Sequence, residues 1–168
     1  MFSGDKGTNY FLIYKQIRCH FPLFWHTFRL YKGMKCNKKL YRIAILATTP
    51  AEAELFASIV DSRWCDIWLF YDMESLRQYF EPLDIDLTIV ILGDSITAVS
   101  GFIQELSSLH RLGGDIFVVM SLHSVEVTLS LLAGGVKQCM TLPIDPQRLR
   151  RKVYEHLLKY DKQPEVLS

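Results

Sequence analysis

The run 86–101, "DLTIVILGDSITAVSG", sets a carboxylate and a hydroxyl side by side, Asp94 and Ser95, directly after an apolar stretch and Gly93. Either group could do chemistry at such a turn. A serine becomes a nucleophile when an imidazole takes its proton and an acid orients that imidazole. An aspartate becomes a phosphoryl acceptor when further carboxylates hold a divalent cation beside it. Both side chains also have a structural use, as caps of the loop or of a following helix. The choice depends on partners elsewhere in the chain, and His110, His123 and His156 have no acid three residues before them. Cys19, Cys36, Cys65 and Cys139 form no Cys-x-x-Cys pair and have no histidine at ligand spacing, so neither a zinc site nor a disulfide framework is expected. No metal and no cofactor are expected. Isolated thiols suit a reducing cytoplasm, which is the expected compartment.

The elements that must position these groups alternate regularly from Tyr41 onward. "YRIAILA" (41–47) is a short branched apolar run that suits a buried strand, and "TPAEAELFASIVDS" (49–62) follows with Ala53, Phe56, Ala57 and Val60 on one helical face. Thr49 is its expected cap and Pro50 its first residue. The series continues with a strand 65–71, a helix 72–80 capped by Asp72, and a strand 86–92 apolar on both faces. A helix near 97–110, a strand 115–121, a helix near 124–133, a strand 136–142 and a helix 146–160 complete it. Strands joined through helices need right-handed crossovers and a parallel sheet, and in a doubly wound sheet function sits beyond the carboxyl ends of the strands. The aromatic group Trp64, Trp68, Phe70 and Tyr71 reads as core and rim packing.

The first 40 residues are of another kind. They hold eight of the 19 Lys+Arg and one acid, Asp5, so the remainder is net negative by six. Aromatics among these cations could describe a basic helix on an anionic membrane, with residues 10–32 as the contact, but Pro22 breaks such a helix. The other reading is an extension upstream of a start at Met34, from which "MKCNKKLYRIAIL" leads into the first strand. Lys15, Arg18, His20 and Pro22 interrupt the apolar run, leaving it short of the roughly 18 residues of a membrane span. The expected division is therefore 1–40 extension, 41–161 domain and 162–168 tail. The acidic balance of the domain argues against a nucleic-acid field.

The last third carries the most specific signal. "LSLLAGGVKQCMTLPIDPQRLRRKVYEHL" (129–157) resembles the final helix, strand and helix of a response-regulator receiver domain, through "AGG" (133–135), "LPI" (142–144) and "DPQRL" (145–149). "DLTIVILGDSITAVSGF" (86–102) is similar in length and glycine placement to the receiver's phosphoacceptor strand and loop. The resemblance implies a doubly wound, five-stranded parallel sheet of the flavodoxin and CheY-like class. It also implies a phosphotransfer pocket, and there the sequence departs from the pattern. Ala47 and Thr48 stand where the family has its acid pair. Counting eight residues back from Gly101 puts Gly93 at the phosphoacceptor, with Asp94 one place late. Leu142 stands for the lysine and Cys139 for the switch aromatic, and Ser121 alone matches.

The expectation is a degenerate, non-enzymatic receiver that binds protein without phosphorylation. By resemblance, a protein partner or a second copy would use the fourth helix, fifth strand and fifth helix, with Val127, Leu131, Lys137, Arg148 and Arg151. The basic side of the last helix reads as solvated or partner-facing. Two alternatives stand beside it. "ILGDSITAVSG" also resembles the nucleophile block of GDSL-type esterases, which would make Ser95 catalytic, although the oxyanion glycine, the Gly-x-Asn-Asp block and the late Asp-x-x-His pair are missing. The other alternative is a decayed remnant of a larger response regulator.

Overall fold

The computed structural model describes residues 40–62, 64–111 and 114–160, which belong to the second of two compact units, beginning at Leu40. The basic extension before Leu40 with its Met34 start, the membrane contact by residues 10–32 and the 162–168 tail lie outside the described residues.

Among the described residues five strands and five helices alternate: β1 (Tyr41–Leu46), α1 (Pro50–Val60), β2 (Cys65–Phe70), α2 (Met73–Leu83), β3 (Leu87–Leu92), α3 (Ile96–Arg111), β4 (Asp115–Met120), α4 (Val125–Ala133), β5 (Gln138–Thr141) and α5 (Pro146–Tyr160). Local chemistry sets the helix starts. Asp72 accepts the Ser75 N–H at 2.7 Å, and Ser124 accepts the Val127 N–H at 3.3 Å. Thr49 caps α1 by accepting the Glu52 N–H at 3.3 Å, with proline at the first helical position.

The "AGG" turn ends α4 in a Schellman motif. Val136 N–H donates to Leu131 C=O and Gly135 N–H to Leu132 C=O, both at 3.1 Å, and Gly135 takes φ 105°, a conformation that glycine alone adopts without strain. The helix expected to stop at 80 continues to Leu83 as α2. Pro82 lacks a donor and so forfeits one bond in the last turn, while the Arg42 guanidinium donates to the Leu83 carbonyl at 2.6 Å and Asp84 leaves the helix at φ 48°.

All neighbouring strands are parallel, in the order β2-β1-β3-β4-β5. This is a doubly wound α/β sheet of the flavodoxin and CheY-like class. Every residue of the central strands β3 and β4 is buried, as two helix-covered faces require. One face packs Ile43, Ile45, Ile89 and Phe117 against Phe56 of α1 and Leu149, Val153 and Leu157 of α5. The other packs Ala44, Val90, Ile116 and Val118 against Leu76 of α2, Val99, Phe102 and Leu106 of α3, and Leu131 of α4. Phe70 is buried while Trp64, Trp68 and Tyr71 are half-buried, in keeping with core and rim packing.

Candidate functional site

The carboxyl ends of β1, β3, β4 and β5 bring the singled-out residues to one end of the sheet. At the end of β1, Ala47 is buried in the α1 and α5 side of the core, and its N–H donates to Phe70 C=O at 3.1 Å. Thr48 is exposed, and its hydroxyl donates to Glu52 Oε2 at 3.1 Å. Thr49 accepts the Glu52 N–H and donates back to the same carboxylate oxygen. The acid of this turn is thus engaged by two hydroxyls at the start of α1.

At the end of β3, Gly93 is half-buried, and a Cβ built on it meets nothing within 4 Å. Its φ lies outside the positive region, so neither space nor backbone strain demands a glycine there. Asp94 and Ser95 are exposed. Ser95 caps α3: its hydroxyl accepts the Ala98 N–H at 3.3 Å and its carbonyl the Val99 N–H at 3.1 Å. Gly101, from which the phosphoacceptor position is counted, lies within α3.

Ser121 is half-buried one residue past β4. Leu142, one residue past β5, packs against the α1 and α5 side of the core, and its N–H donates to Met120 C=O at 2.9 Å. The Leu142–Pro143 peptide is cis. Asp145 then caps α5 by accepting the Gln147 N–H at 3.0 Å. Among the described residues no group of three His, Cys, Asp or Glu side chains is placed to hold a metal ion.

The face expected to bind partners needs one correction. Leu131 is fully buried and half-buried Val127 packs on the same core, so neither presents a free side chain. α4 instead exposes Val125 (78 %), Leu129 (61 %) and Leu132 (42 %), one apolar stripe at i, i+4 and i+7. "VEVTLSLLA" is apolar nearly all round, so its period does not say which leucines turn inward. Lys137 is half-exposed and lies 3.8 Å from Asp115; Arg148 and Arg151 are exposed on α5, Arg151 4.0 Å from Glu155.

One polar group has no counterpart in the sequence reading. His156 on α5 lies 2.8 Å from Asp115 at the amino end of β4, both mostly buried, with the imidazole edge-on to Phe117. The 41-residue separation leaves no local spacing to find it by. Burial raises the Cys65 thiol above its ordinary range, partly offset by the Ser62 hydroxyl, and burial likewise raises Cys139.

No protein-family model matches the sequence, and no curated protein matches it. Solved structures do. A CheY-like response regulator receiver domain protein from Methanospirillum hungatei superposes with a TM-score of 0.62 at 18% identity, covering 75% of this chain and 100% of that one. A response regulator from Thermotoga maritima gives 0.63 at 8% identity, covering 70% and 98%. A pilus assembly protein CpaE from Caulobacter crescentus gives 0.55 at 20% identity, covering 68% and 97%. The chain has the receiver-domain fold. No helix among the described residues is long and apolar enough to cross a membrane.

Proposed function

We propose that this domain is a pseudo-receiver: a signalling module that acts by binding protein, without an aspartyl phosphate and without enzymatic activity of its own. A fold shared by response regulators and a pilus assembly protein leaves function to the residues of the site. The observation that carries the reading is the set of strand ends. Ala47 turns into the core, Gly93 offers no carboxylate, and Leu142 is an apolar packing residue. A lone exposed Asp94 lacks the converging acids that would hold magnesium and offset the charge of an incoming phosphoryl group. Ser95 is used as a helix cap, which favours the structural over the nucleophilic role. A reducing cytoplasm is the compartment proposed for it, in keeping with the free thiols Cys65 and Cys139.

Binding is assigned to the α4, β5 and α5 face, where the exposed side chains of α4 are apolar and those of α5 are largely cationic. The test is incubation with acetyl phosphate and magnesium, followed by assay for acid-labile protein phosphate. None is expected, and none in Gly93→Asp either, because that side chain fits but the acid pair and lysine are still missing. Phosphate on the parent protein that disappears in Asp94→Asn would overturn the proposal.

A further inference from the structure

We infer that the outer edge of β2 accepts an extended segment of a partner protein as an added strand, one that alternates lysine or arginine with apolar residues. This surface is separate from the α4, β5 and α5 face. Tyr41 N–H donates to Trp64 C=O and Ala47 N–H to Phe70 C=O, and in a parallel ladder this alternation turns the even-numbered residues of β2 toward β1. Ile67, Leu69 and Tyr71 therefore point their N–H and C=O groups away from the sheet. No hydrogen-bond partner for these groups is found among the described residues, and β2 stands at the end of the strand order.

Edges of this kind are ordinarily blunted by lysine, proline, a bulge or brevity. "CDIWLF" uses none of these: it is six residues long, about 20 Å, in unbroken register with β1. The other edge, β5, has four residues, with Pro143 two places beyond it. Half-buried Trp68 on the α2 side of the sheet and half-buried Leu69 on the α1 side leave apolar surface beside the outward backbone groups.

Charge selects the occupant. From 61 to 72 the chain carries Asp61, Asp66 and Asp72 against Arg63. Arg42, opposite Asp66 in the ladder, is engaged with the Leu83 carbonyl and Asp84. The negative field is felt at both ends of the strand. Desolvation first, then Asp61 and Asp86 against the opposing Ser62 bond, raise the Cys65 thiol; desolvation and then Glu54 raise the Tyr71 phenol. Such an edge repels its own copy and attracts a cationic strand. Side chains of a strand alternate between faces, so cations set on the side of Asp66 and Trp68 leave apolar residues over Leu69.

The test is titration of the isotope-labelled full chain at low salt with an alternating lysine–valine peptide of about seven residues, matched in length to β2. The readout is the chemical shift and hydrogen exchange of the Ile67 and Leu69 amides. Saturable shifts and slowed exchange at both are expected, with a Kd of about 0.1–1 mM. The matching glutamate–valine peptide should bind about tenfold more weakly, a difference that shrinks as salt is added. N-methylation on the valines or on the lysines removes alternate donors of the peptide. Only one of those sets faces β2, so one methylated peptide should lose binding and the other keep it. Asp66→Asn should weaken binding several-fold. No change at Ile67 and Leu69, or equal binding by both methylated peptides or by the glutamate peptide, overturns the added strand. Protection of the same amides that rises with protein concentration and needs no peptide gives the edge to a second copy and likewise overturns the cationic occupant.

Discussion

Thr88 shows how closely single side chains are held in this sheet. It sits in β3 between Ala44 and Ile116, is buried, and its hydroxyl has no hydrogen-bond partner. A buried donor left unmade costs about 1–3 kcal/mol, and valine has nearly the same shape without that group. Thr88→Val should therefore raise the urea midpoint, with a gain of about 1 kcal/mol. A lower midpoint would mean that the hydroxyl is bonded in solution. At the same scale, Asp94 and Ser95 read identically in sequence as reactive groups or as caps. The Ser95 bond to the Ala98 N–H answers for serine through a contact three residues away.

Among the elements, α5 is tied down by a mostly buried polar contact as well as by packing. Leu149, Val153 and Leu157 bury one stripe, as the 3.6-residue period of "RLRRKVYEHLLKY" predicts, and His156 adds a bond to Asp115 across the end of the sheet. Removing one member of a mostly buried pair leaves the other short of its partner. Lys137, at 3.8 Å and half-exposed, compensates only in part. His156→Ala should cost about 2–4 kcal/mol in chemical denaturation, and the cycle with Asp115→Ala should be clearly non-additive. Additive losses would show that the pair contributes packing alone. The neighbouring helix α4 behaves differently. Its caps, Ser124 at one end and the glycine pair at the other, are legible from residue type, whereas its inward face is not, because leucine occupies both sides of it.

For the molecule as a whole, burial of ionisable groups sets a limit on the alkaline side. Cys65, Cys139 and Tyr71 are all raised, first by desolvation, and Tyr71 is raised further by Glu54. A group raised in the folded state stays protonated after its unfolded counterpart has ionised. Its contribution is complete below the ordinary value and is lost as pH climbs through the raised one. Stability should thus hold to about pH 8.5 and fall beyond it, with a shallower fall in Cys65→Ala. Equal slopes in the two proteins would contradict the assignment to Cys65. Alternating apolar runs, capping residues and glycines were enough to determine a five-stranded parallel α/β sheet and nearly all its element boundaries, since these depend on contacts within a few residues. Even the residues at the strand ends, Ala47, Gly93, Ser121 and Leu142, could be singled out, through the resemblance to receiver domains. The tertiary structure alone decided what those positions face: Ala47 and Leu142 into the core, Leu131 inward, Leu129 and Leu132 outward, His156 onto Asp115. Each of these depends on which distant element packs against the side chain, a relation that local period and residue type do not encode.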